Sequence, residues 1–349
     1  MKAFAYLSHG QAGWIEKDIP QPKGYDALIR PLLVAPCTSD VHNVAIDCLQ
    51  PNRILGHEGL GEIVAVGELV RDFQVGEIVV VPPVTPDWRT VPSQLGAHQH
   101  CVGLITGQKL SNSEDGLMAE YALIRDIDAN AARIPQGVTW EGAVMAADML
   151  NTGLYGAELA QVQPGDTVVV MGVGPVGLMA IAGARLRGAG RIIAIGSRPA
   201  GVELAKFYGA TDLVNYKEGN VERQIHTLTH KQGADCCICA GGGTEALGQA
   251  VAMVRWGGTV GNVNYFTTYG DLPINNVRYG FGMGNKTIRG GECPGGRARM
   301  EKLLALLQYG RVDPVPLITH RFRGLGQVEE AFRLMARKPP ELVKTVVAL

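Results

Sequence analysis

Two short segments near the N-terminus hold the residue types that bind zinc in proteins. Cys37 opens the run Cys37-Thr-Ser39-Asp-Val-His42, and Gly56-His57-Glu58 follows about fifteen residues later. Thiolate, imidazole and carboxylate groups are the usual zinc ligands, and a catalytic zinc keeps three protein ligands with a fourth position open. Each residue alone has an ordinary alternative, since Cys37 also fits a small buried apolar position and His57 a core or surface histidine. A metal centre is therefore a hypothesis that needs further support.

A glycine-rich turn near the middle of the chain has the pattern of a dinucleotide-binding loop, G-x-G-x-x-G. Its residues are Gly172, Val173, Gly174, Pro175, Val176 and Gly177. The apolar run 168–170 predicts a strand before the turn, and an apolar helix follows it. In that context the glycines permit a tight turn, a close approach of pyrophosphate to the backbone, and packing of the helix against the strand. Pro175 suits the first helical turn, where no amide hydrogen is needed. The alternative is a glycine-rich turn that binds nothing.

The end of the next predicted strand indicates which dinucleotide is bound. Enzymes that use NAD usually carry an acidic residue there, hydrogen-bonded to the ribose hydroxyls. This chain has Gly196, Ser197 and Arg198 instead, which offer space for a 2′-phosphate, a hydrogen-bond donor and a planar cation. Tyr216, after the following strand, adds a hydroxyl or a stacking face. The pattern favours NADP(H); the alternative is that Ser197 only caps a helix and Arg198 is a solvated surface charge.

The composition argues against several classes of function. The 349 residues include 32 Lys plus Arg and 33 Asp plus Glu, and such a balanced chain has no electrostatic footprint for nucleic acid or an acidic membrane surface. The N-terminus lacks the apolar core of a signal peptide, and seven cysteines, an odd number, do not suggest a disulfide framework. We therefore expect a cytoplasmic protein that binds no nucleic acid and no membrane. The 46 glycines fit a fold with many turns and close backbone approaches.

The apolar pattern divides the chain into two domains with different secondary-structure patterns. The first part has short strands bounded by Gly and Pro, which suggests a small antiparallel barrel or sandwich. From about residue 150 strands alternate with helices, which predicts a doubly wound parallel sheet. A C-terminal helix and a final strand return to the first domain, so the predicted boundaries are 1–149 with 295–349, and 150–294. The predicted strands are 27–34, 61–66, 77–81, 119–123, 167–171, 191–195, 212–215, 235–240, 258–263 and 344–347, and the predicted helices are 175–187, 199–208 and 300–309.

These motifs resemble the zinc-containing medium-chain alcohol dehydrogenase superfamily. The segment from Gly56 to Val70 carries its zinc signature, Gly-His-Glu-x-x-Gly-x5-Gly-x-x-Val, with Cys37 at the expected distance upstream. Most of the chain is similar to one branch, the tetrameric NADP-dependent secondary alcohol dehydrogenases of bacteria and some anaerobic protists. The resemblance implies an α/β protein with a GroES-like β-barrel catalytic domain and a Rossmann doubly wound cofactor domain, assembled as a homotetramer. The stretches that carry the similarity are 35–40, 86–89, 156–159, 174–180, 188–193, 262–266 and, apart from Glu292, 291–297.

The resemblance also implies which residues hold a single catalytic zinc. Cys37, His57 and Asp148 would bind the metal, and Glu58 would lie beside it as a ligand in some states. Many relatives have a second cysteine at the position of Asp148, so the ligand set here would be Cys/His/Asp. The alternative for Asp148 is that it only caps a helix.

Further residues would act around the zinc and the cofactor. The alcohol proton would leave through Ser39 and then His42, whose titration range suits a shuttle, although His42 is alternatively an ordinary surface histidine. Asn264 and Tyr265 lie in the matching stretch 262–266 and are expected at the cofactor.

A second, structural zinc, which many zinc alcohol dehydrogenases hold with four closely spaced cysteines, is expected to be absent. Between Pro82 and Gly116 this chain has only Cys101. The run His98-Gln-His100-Cys101 offers other ligand types, but without a fourth ligand a polar loop is the preferred interpretation.

The substrate pocket departs from that of the branch. Four residues are expected to line it: Pro83, Gln108, Glu292 and Cys293. The branch usually has a small residue at the first of these positions, tryptophan at the second and leucine at the third. Because Gln108 replaces a bulky aromatic residue, the pocket should be larger or more polar, and we expect larger or more polar ketones to be accepted.

The sequence thus predicts a zinc-dependent, NADP(H)-linked dehydrogenase that interconverts secondary alcohols and ketones and also takes aldehydes. Two alternatives remain open. A polyol or sugar dehydrogenase of the same superfamily would carry a similar zinc site and relay. The other alternative is a non-catalytic NADPH-binding protein derived from the enzyme. The presence of the zinc ligands and of the relay residues argues against it.

Overall fold

The computed structural model describes residues 1–104, 106–266, 270–276 and 279–349. The chain divides into two compact units, one comprising Met1–Asp148 and Pro294–Leu349 and the other Met149–Cys293. Within the described ranges, no helix has the length and apolar character needed to cross a bilayer.

The strands and helices of the described residues are numbered in chain order. The strands are β1 (Lys2–Ser8), β2 (Gln11–Glu16), β3 (Ala27–Val34), β4 (Arg53–Ile54), β5 (Gly59–Val66), β6 (Ile78–Val81), β7 (Ala122–Ile124), β8 (Ala132–Arg133), β9 (Thr167–Met171), β10 (Arg191–Ile195), β11 (Asp212–Val214), β12 (Ala234–Cys239), β13 (Val254–Asn262), β14 (Thr287–Gly290), β15 (Ile318–Arg323) and β16 (Lys344–Ala348). The helices are α1 (Thr38–Ala45), α2 (Val91–Gln94), α3 (Ile127–Asn130), α4 (Trp140–Met145), α5 (Asn151–Leu159), α6 (Pro175–Leu186), α7 (Pro199–Tyr208), α8 (Val221–Leu228), α9 (Ala246–Met253), α10 (Arg297–Gln308) and α11 (Val328–Arg337).

The first unit is built on a mostly antiparallel sheet of seven strands. Its order is β15-β16-β3-β5-β6-β8, with β7 also paired to β3, and β15 and β16 run parallel to each other. A smaller sheet has the order β2-β1-β4. Phe4 and Tyr6 of β1 lie in a buried core that also includes Leu117, outside the strands, and Phe332 of α11. This agrees with the strand-rich first domain predicted from the Gly- and Pro-bounded apolar segments.

The second unit contains a parallel sheet of six strands in the order β11-β10-β9-β12-β13-β14. Counted from the first strand of the unit, this is the order 3-2-1-4-5-6 of doubly wound dinucleotide-binding sheets. Val168, Val169 and Val170 in the central strand β9 are all fully buried, as expected for a parallel strand covered on both faces. The predictions of a strand over 167–171, a strand over 191–195 and a helix over 199–208 are confirmed by β9, β10 and α7.

One predicted strand of the first unit is displaced in the structure, and helix α1, which precedes the other metal ligands, was not predicted. The strand predicted over 119–123 begins three residues later and ends one residue later, as β7, while Ala119 makes an isolated bridge to Ala3. Helix α1 was not predicted, because its eight residues are too few for a helical apolar period to stand out. Its start is defined instead by a local hydrogen bond, from the backbone N–H of Cys37 to the side chain of Asp40 at 3.1 Å.

Candidate metal centre and cofactor loop

Four side chains of the first unit converge on one point. The donor atoms of Cys37, His57, Glu58 and Asp148 all lie within 4.8 Å of one another. His57 Nε2 is 3.6 Å from Asp148 Oδ2 and 3.9 Å from Glu58 Oε1. Two ligands of a tetrahedral zinc ion lie about 3.4 Å apart, so this donor set fits zinc in both chemistry and size. In the described part of the chain this is the one group of three or more such side chains arranged to hold a metal ion.

Local structure explains how each ligand reaches this point. Cys37 is the N-cap residue of α1, and His57 and Glu58 immediately precede β5. Asp148 lies in a π-helical turn, Ala146–Leu150, which follows α4. Such turns insert an extra residue into a helix and occur frequently at functional sites. The alternative that Asp148 only caps a helix is therefore not supported, because it lies inside a helical turn.

Asp40 was not predicted as a site residue, yet it orients His57. Its fully buried carboxylate accepts a hydrogen bond from His57 Nδ1 at 3.1 Å and from the Gly56 backbone N–H at 3.2 Å. Burial alone would raise the pKa of Asp40, but the facing His57 and the hydrogen bonds it accepts lower it. A carboxylate on the far nitrogen of a histidine fixes the ring tautomer, which leaves Nε2 directed at the metal centre.

The thiol of Cys37 lies where its ionised form is favoured. Burial raises the pKa of a thiol, but the positive charge of Lys344 and the hydrogen bond with His57 outweigh it, and the pKa of Cys37 falls to about 6. The thiolate is the form of cysteine that binds metal, so the lowered pKa of Cys37 favours metal binding.

Glu58 and Lys344 form an ion pair inside the first unit. Both side chains are fully buried, and Lys344 Nζ donates to Glu58 Oε1 at 2.6 Å. Burial raises the pKa of Glu58, and the Lys344 ammonium opposes that effect. Glu58 Oε2 is buried without a hydrogen-bond partner, which suits an oxygen next to a cation. Sequence reasoning missed Lys344 because it lies 286 residues from Glu58.

We expect the substitution Lys344→Met to lower the free energy of unfolding of the metal-free protein by about 3–5 kcal/mol, since it leaves the Glu58 carboxylate buried without its cation. Urea unfolding measures this effect, with Lys302→Met, at an exposed lysine of α10, as the control. Adding Glu58→Gln should recover part of the loss. Equal stability of Lys344→Met and the parent would contradict the prediction.

The predicted relay residues both lie on α1. Ser39 Oγ is 3.2 Å from His57 Nε2, which places this hydroxyl at the metal centre. His42 is three residues further along the same helix, and residues with that spacing share one helical face. Burial and the nearby positive charge of Lys338 lower the pKa of His42.

The predicted phosphate turn connects β9 to α6 in the second unit. Gly172 has φ of +99°, a conformation that L side chains rarely adopt, and Gly174 is the N-cap residue before Pro175. At Gly177 an added Cβ would lie 2.0 Å from the carbonyl oxygen of Gly172, so no side chain fits there. Val176, between them, is half-buried in the first turn of α6. This helix N-terminus presents backbone amides suited to an anion.

The predicted 2′-phosphate site lies beside this turn. A Cβ added to Gly174 would lie 3.4 Å from Arg198 Nη2, so the Arg198 guanidinium reaches the glycine turn. Ser197 Oγ is buried without a hydrogen-bond partner, and the N-cap residue of α7 is Arg198. The alternative that Ser197 caps α7 is therefore wrong. Gly196 has a packing role as well, because its Cβ would lie 2.2 Å from Val173 Cγ2. An unsatisfied hydroxyl on Ser197 and a guanidinium at the glycine turn on the following residue, Arg198, are groups that suit a phosphate.

The other predicted cofactor residues follow strands of the same sheet. Tyr216 begins a short 3₁₀ turn after β11 and is 53% exposed. Asn264 follows β13 and donates from Nδ2 to the carbonyl oxygen of Gly242 at 3.1 Å, and Tyr265 next to it is exposed. All three lie beyond the carboxyl ends of parallel strands, the edge at which doubly wound sheets bind ligands.

The residues predicted for the substrate pocket are distributed over both units. In the first unit, Pro83 is buried after β6 and Gln108 is half-buried in the loop before Leu110. In the second, Glu292 is half-buried, and the buried Cys293 accepts a hydrogen bond from Asn151 Nδ2 at 3.3 Å.

His98, His100 and Cys101 were the second set of candidate metal ligands, and two of them make contacts that do not involve a metal. His98 stacks on Trp88, with ring centroids 4.8 Å apart, and accepts a hydrogen bond from the Gly295 N–H at 3.2 Å. The buried Cys101 donates from Sγ to the Thr106 carbonyl oxygen at 3.5 Å. In the described ranges these residues and His100 do not form a metal-binding group.

Comparison with known proteins identifies the family. Residues 23–136 match the alcohol dehydrogenase GroES-like domain, and residues 175–309 match the zinc-binding dehydrogenase domain. The chain is 54% identical to the NADP-dependent isopropanol dehydrogenase of Thermoanaerobacter brockii and 52% identical to that of Clostridium beijerinckii, in each case over 100% of both chains. Among solved structures, alcohol dehydrogenase TADH from Thermus sp. ATN1 aligns over 100% of this chain and 99% of its own, with 30% identity and a TM-score of 0.87. The protein therefore belongs to the zinc-binding, medium-chain alcohol dehydrogenase family, with one GroES-like and one Rossmann-like unit.

Proposed function

We propose that this protein interconverts secondary alcohols and ketones, and also reduces aldehydes, by hydride transfer to or from NADP(H) at a zinc centre. The observation that carries the proposal is the convergence of Cys37, His57, Glu58 and Asp148 on one point. In the other unit, the unsatisfied hydroxyl of Ser197 and the Arg198 guanidinium at the glycine turn support NADP(H). The names of the two relatives above agree with this reaction.

One catalytic zinc would be held by Cys37, His57 and Asp148. Glu58 would be a further ligand in some states. Zinc bound there would polarise the substrate oxygen and lower the pKa of an alcohol towards neutrality. Asp40 keeps His57 Nε2 directed at the centre, and the lowered pKa of Cys37 keeps its sulfur ionised. We assign no structural zinc, and metal analysis of the purified protein should find one zinc per chain.

Ser39 and His42 would carry the alcohol proton away from the substrate. Ser39→Ala should lower kcat for alcohol oxidation by about 10- to 100-fold with zinc content unchanged, because a positioned proton-transfer group is lost. Stopped-flow measurement of NADPH formation tests this, with Ser93→Ala, at a buried serine in α2, as the control. An unaltered rate in Ser39→Ala would contradict the proposed proton relay but not the zinc centre.

Removing the charge of Lys338 should change the pH dependence of alcohol oxidation. The neutral form of His42 accepts the proton, and a lowered pKa keeps His42 neutral down to lower pH. Lys338→Asn removes the positive charge and suits a backbone φ of 48°, so the pKa of His42 should rise. The acidic limb of the pH–rate profile should then move upwards by roughly a few tenths of a pH unit. A shift to lower pH, or none at low ionic strength, would contradict this role.

The substrate range is proposed from Pro83, Gln108, Glu292 and Cys293. The polar Gln108 favours larger or more polar ketones than small alkanones. The test is a ketone series from acetone upward with NADPH, in which Gln108→Trp should shift the preference back towards small ketones. Rates of the parent that fall steadily with ketone size would overturn this part of the proposal.

One assay separates the proposed reaction from its alternatives. Zinc-loaded protein is given secondary alcohols, ketones and sorbitol, each with NADP(H) and with NAD(H). We expect turnover of the alcohols and ketones with NADP(H). Preferred oxidation of sorbitol would instead favour a polyol dehydrogenase, and zinc and NADPH binding without any turnover would favour a non-catalytic protein.

We also propose a cytoplasmic homotetramer. All seven cysteines are thiols, which is the expected state in a reducing compartment. Large apolar side chains are exposed on the second unit, including Trp256, Phe281 and Met283, and such exposure is typical of subunit contacts. Light scattering should give about four times the chain mass of 37.2 kDa.

A further inference from the structure

We propose that Ser111 is a positioning residue for the metal centre. Its hydroxyl holds the carboxylate of Asp40, and Asp40 in turn holds the imidazole of His57 in the orientation that binds zinc. The inference rests on the proposed zinc centre and extends it to a residue in a different part of the first unit.

The contact between Ser111 and Asp40 is short and shielded from water. Ser111 Oγ donates to Asp40 Oδ1 at 2.8 Å, whereas the other two donors to this oxygen, His57 Nδ1 and the Gly56 N–H, lie at 3.1 and 3.2 Å. Ser111 is 1% exposed and Asp40 is 0% exposed. A hydrogen bond to an ionised carboxylate in such a buried place is among the stronger kinds in proteins.

Ser111 is also the donor that comes from furthest along the chain. The other groups bonded to Asp40 belong to the segments that carry the ligands, because Cys37 is three residues away and His57 seventeen. Ser111 is 71 residues away. Its hydroxyl therefore ties the orientation of Asp40, and with it that of His57, to an independent loop.

The backbone of Ser111 indicates that the side chain matters here. Its φ of 65° lies in the left-handed region, which is uncommon for residues other than glycine. The turn around it is fixed by hydrogen bonds from the N–H groups of Asn112 and Glu114 to the Lys109 carbonyl oxygen, at 3.0 and 2.9 Å. Glycine would adopt this backbone with less strain, so the hydroxyl is what serine adds at this position.

The test is the rate at which zinc leaves the holoenzyme. Ser111→Gly deletes the hydroxyl and suits the left-handed backbone, so a change in the metal centre reports the lost hydrogen bond. We expect zinc transfer to a chromogenic chelator to become about tenfold faster, as is typical when an outer partner of a metal ligand is removed. The visible absorption of the cobalt-substituted enzyme should change as well, because it depends on ligand orientation.

Ser93→Ala is the matched control, since it also removes a buried hydroxyl of the first unit, one that donates to the Asp87 carbonyl oxygen at 2.6 Å. Faster release in Ser111→Gly with parental release in Ser93→Ala supports the proposal. Parental release and an unchanged cobalt spectrum in Ser111→Gly would overturn it, as would equal acceleration in both variants, which indicates general loosening. A parent that binds no zinc would instead refute the zinc centre itself, together with this inference.

Discussion

Replacing Cys37 by serine should abolish tight zinc binding and lower turnover by about a thousandfold or more. The thiolate contributes negative charge to the ligand set, and the surroundings of Cys37 already hold its pKa near 6. A serine hydroxyl stays neutral under the same conditions and is a poor zinc ligand. Because Glu58, His57 and Asp148 would remain, the variant separates the role of the sulfur from that of the other three side chains.

Zinc content and the rate of NADPH oxidation with a ketone are both measured on the purified variant. Cys48→Ser is the matched control, since Cys48 is exposed and lies just after the same helix, α1. His57→Ala should behave like Cys37→Ser. Full zinc content and full turnover in either of these two variants would refute the assigned centre.

The choice between NADP(H) and NAD(H) should depend most strongly on Arg198. Arg198→Ala should lower kcat/KM for NADPH by about 100-fold, since a charge-assisted hydrogen bond to the 2′-phosphate is lost. The value for NADH should change little, because NADH has no phosphate there. The expected result is thus a collapse of the preference for NADPH rather than a general loss of activity.

Arg223→Ala, on α8 of the same unit, is the control for loss of a positive charge. Ser197→Ala should weaken NADPH binding in the same direction by a smaller factor, because a neutral donor is removed. An Arg198→Ala enzyme that loses NADPH and NADH activity equally would contradict recognition of the phosphate.

The cofactor unit was the more predictable part of the fold. A run such as Val168–Val170 followed by glycines and an apolar helix contains both the strand and its turn within one short segment. Its structure depends on local periodicity and on glycine conformations, and β9, β10 and α7 accordingly lie at the predicted positions. In the first unit β3 also lies at its predicted position, but β4 and β8 have only two residues each and the brief helix α1 intervenes, so the local pattern was weaker at those places.

Some residues of the metal centre could likewise be predicted from the local sequence, whereas others depend on long-range contacts. Cys37 and His57 could be recognised by residue type and spacing, since ligand chemistry is a property of the side chain itself. Asp40, Lys344 and Ser111 could not, because their roles arise from contacts with residues 17, 286 and 71 positions away. Contacts of that kind leave no periodic trace in a single sequence.

Residue chemistry and local backbone preference thus determined the ligand types, the phosphate turn and the alternation of strands and helices in the second unit. The tertiary structure decided which carboxylates face which cations and which donors surround the ligands. The physical reason is that burial strengthens each of these contacts, and burial is known only once distant segments have packed together.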